Sequence, residues 1–181
     1  IYRSRFRWTP ASTALFFGLV GWLLAGLSGV VNATIALDVA VHNTLWIVGH
    51  FHHMAMLNIG LLIFGATYAL LPELCGKALY SEKLAWVHVW TTFVGGMLFF
   101  GLWLVQGLAG APRRWSVLPS QFDSITRISL VVAFVLAAAQ AQHVAQAALG
   151  VERERRVPFV HRQDVGDLED AGLDRLDVVT Q

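Results

Sequence analysis

His42–Met54, HNTLWIVGHFHHM, carries four of the chain's seven histidines into the start of a long apolar run. On an α-helix each residue turns by about 100°, so His50 and His52 stand roughly 200° apart and point to opposite sides. A single metal ion held by two residues of one helix needs i, i+3 or i, i+4 spacing, because those positions share a face. Spacing of i, i+2 suits two ligands for two separate centres lying side by side. Haem is the flat cofactor that takes an axial histidine, so this helix is expected to serve two haems. The alternative is a set of imidazoles merely hydrogen-bonded inside a helical bundle. Ionisable groups within an apolar span are costly, which favours the functional role.

The composition sets the environment. Of the 181 residues 56% are hydrophobic and 14% charged, whereas soluble domains carry about 25% charged residues. An all-α integral membrane bundle is therefore expected. A formal net charge of +1 argues against a nucleic-acid partner. The single cysteine, Cys75, excludes an internal disulfide and any multi-cysteine zinc or iron–sulfur site, and reads as a small apolar filler at a helix end. The chain opens on Ile1 with no cleavable signal peptide in view, so it is expected to be a piece of a longer protein.

Four spans follow from the hydrophobic pattern. Arg3, Arg5 and Arg7 form a basic flank, which the positive-inside rule assigns to the cytoplasm. Residues 13–32, TALFFGLVGWLLAGLSGVVN, carry no charge and are long enough to cross a hydrocarbon core that needs about 20 residues. Gly18, Gly21, Gly26 and Gly29 would admit a close neighbouring helix. A short connection, ATIALDVAVHN, bears Asp38 and His42 on the outer side. The second span, 43–71, ends at Pro72-Glu73 and Gly76, and its histidines lie in its first third. Lys77 and Lys83 mark the inner return. The third span, 84–109, is expected to be interrupted at Gly95-Gly96 and holds His88, read as a structural, hydrogen-bonded residue. In the fourth, 124–149, Gln140, Gln142, His143 and Gln146 gather near the inner end, where they are expected to bond to another helix or the headgroups, with His143 not a ligand. Residues 1–150 thus read as a membrane domain. Residues 151–181, with Arg153, Arg155 and Arg156 followed by an acidic stretch, read as a charged cytoplasmic tail.

The loop before the last span, GLAGAPRRWSVLPSQFD, should lie outside, where Lys and Arg are disfavoured, yet Arg113 and Arg114 stand there together. Something anionic should hold them. A guanidinium binds a carboxylate through paired hydrogen bonds, and a haem carries two propionates. A solvated arginine pair at a helix end is the alternative.

The strings NATIALDVAVHNTLWIVGHFHHM, YALLPELCGK and GLAGAPRRW resemble the C-terminal third of subunit I of the haem-copper oxygen reductases, closest to the B-family. The resemblance covers roughly residues 10–150 and implies the last four helices of a twelve-helix core. It implies that His50 is the proximal ligand of a high-spin haem and His52 an axial ligand of a low-spin haem. Arg113 and Arg114 would bind haem propionates, and Asp38 and His42 would contact a high-spin haem propionate in a proton-exit region that Asn43 borders. Asn43 replaces the aspartate that helps mitochondrial-type enzymes bind magnesium, a departure that weakens the case for magnesium here. His53 has no role in the family pattern and reads as structural. The copper site (CuB), its three histidines, the cross-linked tyrosine and the second low-spin haem ligand belong to earlier helices, so the chain alone should be inactive.

The resemblance further implies reduction of oxygen to water coupled to proton translocation. It implies a copper-bearing subunit II, cytochrome c or a similar electron donor, and a prokaryotic cytoplasmic membrane with both ends of this segment inside. Three rivals stand beside it: the large subunit of nitric oxide reductase, a di-haem membrane cytochrome without a substrate site, and a haem-free transporter or scaffold piece. The Pro-Arg-Arg loop favours the oxidase over the reductase.

Overall fold

The computed structural model describes residues 7–76 and 79–153, with the side chains of Cys75 and of residues 149–153 left aside. Arg3, Arg5, Lys77 and the tail beyond residue 153 lie outside the described residues, so the orientation argument drawn from them does too. The elements are α1 (Pro10–Ala33), α2 (Ile35–Val41), α3 (Leu45–His52), a π-helix (His53–Ile59), α4 (Gly60–Cys75), α5 (Glu82–Leu108), a short 3₁₀ turn (Ser120–Phe122) and α6 (Asp123–Arg153). There is no strand among the described residues.

Four stretches are long and apolar enough to cross a bilayer: Pro10–Ala33, Leu45–Leu74, Glu82–Leu108 and Ser120–Ala148. They match the four expected spans, so the chain is a multi-pass membrane helical protein. Leu23, Leu27 and Phe134 are more than three-fifths exposed. Such a surface suits lipid tails or further helices rather than water.

Local chemistry accounts for the helix ends. Thr9 and Ser12 form a reciprocal capping box ahead of Pro10, the first residue of α1. Gly76 closes α4 in the left-handed conformation, φ 64°. Pro72 therefore lies inside the last turn of α4, and the helix runs on past the expected end at residue 71. The short connection after α1 is itself a seven-residue helix, α2. Gly95 and Gly96 do not interrupt α5. An added Cβ at Gly96 would meet Leu57 of the π-helix, and one at Gly95 would meet Leu136 of α6. They are contact points for neighbours on two sides.

Close packing puts α1 on α4 and the π-helix, and α5 on α3 and α6. A Cβ on Gly18 would come within 2.9 Å of Leu62, and one on Gly65 within 2.8 Å of Leu15, so α1 and α4 approach through small residues. The core cluster is Ala14, Leu57, Leu61, Tyr68, Ala85, Val89 and Phe100. In the wide π turn consecutive residues serve different neighbours: Leu57 fits Gly96 of α5 and Asn58 fits Gly21 of α1.

One polar tie fixes where α3 begins. Trp46, nearly buried, donates its indole N–H to Asn32 Oδ1 at 2.9 Å. Asn32→Ala would leave that N–H unpaired, at a cost of about 1–3 kcal/mol. A lowered thermal midpoint in detergent is the expected result, and an unchanged one would mean the indole finds another acceptor.

Candidate functional site

The helix that begins at Leu45 is capped by Thr44, whose hydroxyl oxygen accepts from the Trp46 N–H at 3.2 Å. Five residues into α3, about 8 Å along its axis, comes His50. Its ring turns toward α1: Nδ1 lies 2.8 Å from Ser28 Oγ. A Cβ on Gly29 would sit 3.1 Å from Cε1, so the imidazole lies against the α1 main chain at a residue with no side chain. His52 turns toward α5, between Phe100 and Trp103, with ring centroids 5.6 and 5.3 Å away. The two side chains thus face different helices, as i, i+2 spacing requires.

Hydrogen bonding settles which nitrogen each imidazole offers. The Ser28 hydroxyl gives its hydrogen to the Ala25 carbonyl at 2.6 Å, so its oxygen accepts from His50 Nδ1–H. His52 Nδ1 faces the Val48 carbonyl at 2.8 Å and must carry the hydrogen there. In both neutral rings the lone pair is then on Nε2, and neither Nε2 makes a hydrogen bond among the described residues. A ligand imidazole has this form, with Nδ1–H held by an acceptor that fixes the tautomer and raises the basicity of the other nitrogen. His53 differs. It is 4% exposed against Phe100, both nitrogens are enclosed without a well-formed hydrogen bond, and the Met97 backbone is the polar group beside it.

Two polar pairs meet at the end of the bundle where α2 stops. His42 Nδ1 and Asp38 Oδ2 are 3.0 Å apart across one turn. The next residue, Asn43, accepts at its side-chain oxygen from the Arg113 guanidinium at 3.3 Å, and its carbonyl accepts the Arg113 N–H at 3.1 Å. Leu45 N–H donates to the Ala111 carbonyl at 2.9 Å, and Thr44 pairs with Pro112, so the α5–α6 loop is clasped to the start of α3. Arg114 holds φ 67°, a left-handed conformation that costs a non-glycine residue of order 1 kcal/mol and that the clasp sustains. The anion expected beside the arginines is not a carboxylate of the described residues: the partner of Arg113 is a neutral amide, and Arg114 is exposed.

Spacing and motif had singled out Asp38, His42, Asn43, His50, His52, Arg113 and Arg114. The geometry joins the first three with Arg113 in one cluster and sets the two histidines farther along α3. Ser28 and the Val48 carbonyl were missed, and Gly29, expected to admit a close neighbouring helix, admits the His50 ring. A serine in a glycine-rich apolar run was the one available hint for Ser28. No group of three or more His, Cys, Asp or Glu suited to one metal ion occurs among the described residues. His88 and His143 are both hydrogen-bonded to the Tyr68 hydroxyl.

The family model described as cytochrome c and quinol oxidase polypeptide I matches residues 1–139. The chain belongs to this family. Cytochrome c oxidase polypeptide 1 of Halobacterium salinarum is 36% identical over 115 residues, 64% of this chain and 19% of that protein. Cytochrome c oxidase subunit 1 of Thermus thermophilus is 37% identical over 142 residues, 70% of this chain and 25% of that protein. The chain thus spans about a fifth of the first relative's length and a quarter of the second's. A solved haem-copper terminal oxidase dimer superposes with a TM-score of 0.71 at 24% identity, covering 84% of this chain and 28% of that one, which shows a shared fold. Haem and copper are the general cofactors of the oxidase polypeptide I family, and oxidoreduction within electron transport is its chemistry. The donor set fits haem: two single imidazoles on different sides of one helix, each with Nδ1 tied and Nε2 available.

Proposed function

We propose that this chain supplies axial histidines to two haems of a terminal respiratory oxidase, His50 to the high-spin haem and His52 to the low-spin haem. The carrying observation is the paired tautomer lock, Ser28 on His50 and the Val48 carbonyl on His52, which leaves two Nε2 lone pairs aimed at different neighbours. When bound, the haems supply electron transfer and, with copper held elsewhere in the complete subunit, reduction of oxygen to water coupled to proton translocation.

The chain's own residues bind and orient. Arg113 and Arg114, presented by the loop clasped to Asn43, pair with haem propionates. Asp38 and His42 hold a proton between Oδ2 and Nδ1 and, with Asn43, border its exit. Residues 1–150 are the haem-binding membrane part and 151–181 a cytoplasmic tail. Partners are the remaining helices of subunit I, a copper-bearing subunit II, a cytochrome c-type donor and the lipid of a prokaryotic cytoplasmic membrane, with both ends of this segment inside.

Haem content and carbon monoxide binding of the reduced complete complex test this reading. One open-position haem and one closed one are expected, whereas two closed haems would indicate a di-haem cytochrome without a substrate site. Ser28→Ala adds a finer check. Losing the acceptor of a ligand imidazole typically weakens metal binding by about 10- to 100-fold. The variant should keep its low-spin spectrum while the iron–histidine stretch of the other haem shifts and that haem dissociates faster. Unchanged vibrational and dissociation behaviour would argue against His50 as the ligand.

A further inference from the structure

A second polar cluster lies toward the other end of the bundle, where α4, α5 and α6 meet. Tyr68 is 16 residues beyond His52, roughly 20 Å along the helix path, so the cluster is separate from the histidine pair. The Tyr68 hydroxyl stands 2.9 Å from His88 Nδ1 and 3.0 Å from His143 Nδ1. His88 Nε2 is 3.1 Å from Gln140 Oε1, and Gln140 Nε2 donates to Thr92 Oγ1 at 3.0 Å. The imidazoles stack with centroids 4.6 Å apart and planes 12° from parallel, and Phe64 closes one edge of both. His88 is fully buried.

Counting hydrogens fixes the chain of donors. Gln140 gives its amide hydrogen to Thr92, so His88 Nε2–H donates to Gln140 Oε1. His88 Nδ1 then accepts, the Tyr68 O–H donates to it, and His143 Nδ1–H donates to the Tyr68 oxygen. Turning the Gln140 amide over reverses every link from Thr92 to His143 Nδ1 and moves the His143 hydrogen to Nε2. Two full sets of hydrogen bonds with the same heavy atoms are what a proton-sharing unit requires; a fixed clamp needs one.

We propose that Tyr68, His88 and His143 form a proton-holding site shared by three helices, with His143 as its mouth. A proton binds at His143 Nε2, the Nδ1 proton of His143 moves to the phenol oxygen, and the phenol proton moves to His88 Nδ1. One proton enters, no other group is consumed, and the positive charge ends on His88, whose Nε2–H stays on Gln140. His143 is the partly exposed member. Three residues on, along the same face, Gln146 is 4% exposed with both amide atoms unpartnered, so buried polar surface continues from the mouth toward the end of the bundle where α4 stops. The titratable groups facing one another are Tyr68 from α4, His88 from α5 and His143 from α6. No Asp, Glu, Lys or Arg contacts them among the described residues. The site does not depend on the haem reading.

The test is infrared difference spectroscopy of the complete oxidase in lipid, with ring-labelled tyrosine and histidine, titrated over the pH range in which the complex stays assembled. Tyrosine and histidine bands that change together at one midpoint, with uptake of one proton, are expected. Tyr68→Phe should abolish the tyrosine change and give His143 a midpoint of its own. Absence of any tyrosine band change in the wild type, or a histidine titration unaltered by Tyr68→Phe, would overturn the proposal. If Tyr68→Phe does not assemble, the wild-type spectra decide alone.

Discussion

His52→Ala in the complete oxidase is expected to lower the haem content from two per complex to one, removing the low-spin spectrum and sparing the haem that binds carbon monoxide. His50→Ala should do the reverse, abolishing carbon monoxide binding while the low-spin band persists. The selectivity follows from where each ring goes, and the high-spin and low-spin labels follow from the proposed function. His52 lies between Phe100 and Trp103, with its Nδ1 on the Val48 carbonyl, whereas His50 lies across Gly29 with its Nδ1 on Ser28. Neither imidazole can replace the other, because they face different helices. His53 cannot stand in for either, since both of its nitrogens are enclosed against α5. His53→Gln should accordingly keep both haems. Absorption spectra of the purified variants, with pyridine haemochrome quantification, check all three. Two haems retained in both alanine variants would remove the basis of the functional proposal, and loss of the carbon monoxide signal in His52→Ala would exchange the two assignments.

How much of this was legible beforehand depends on the range of the interaction. The four spans were visible because each is a local run of apolar residues, and Thr9-Pro10 and Gly76 carry end signals of their own. The divergence of His50 and His52 was visible too, being a property of helix rotation over two residues. The π-helix left no such trace: a wide turn is decided by what the bulged residues meet, here Gly96 on one side and Gly21 on the other. Glycine weakens an isolated helix, yet packing against Leu57 and Leu136 keeps α5 continuous through Gly95-Gly96. The clasp of Arg113 on Asn43 spans 70 residues and the Tyr68–His143 bond 75. Periodicity carries no information at that distance. The arginines could therefore be flagged by an unfavourable topology, but the amide that receives one of them could not. The same limit hid Ser28, whose meaning depends on a ring 22 residues later.

Gly107→Ala should have the largest effect of any glycine-to-alanine change among the described residues. An alanine Cβ there would fall on the main-chain nitrogen and Cα of Trp46, and main chain cannot move aside as a side-chain tip can. Overpacking that side chains can absorb typically costs about 1–3 kcal/mol, so this variant is expected at or above ~3 kcal/mol. The contact is one of two, among the described residues, at which a glycine lets α3 lie on α5. The other is Gly49, where an added Cβ would be 3.0 Å from both the Phe100 carbonyl oxygen and the Leu104 nitrogen. Gly49 directly precedes His50, and Phe100 packs against His52, so widening this crossing displaces both imidazoles at once. It also strains the clasp of Leu45 on Ala111 and the bond from Gln106 of α5 to Thr126 of α6, 3.0 Å long. The expected signature is joint loss of both haems with a fall in the yield of assembled complex, unlike the selective losses in the histidine variants. Gly101→Ala is the matched comparison, since no atom of the described residues lies within 4 Å of a Cβ there, and it should be neutral to within ~0.5 kcal/mol. Thermal midpoints and haem retention after a detergent challenge measure the difference. A Gly107→Ala complex as stable and as haem-replete as Gly101→Ala would show that the spacing of α3 and α5 does not govern where the histidines stand.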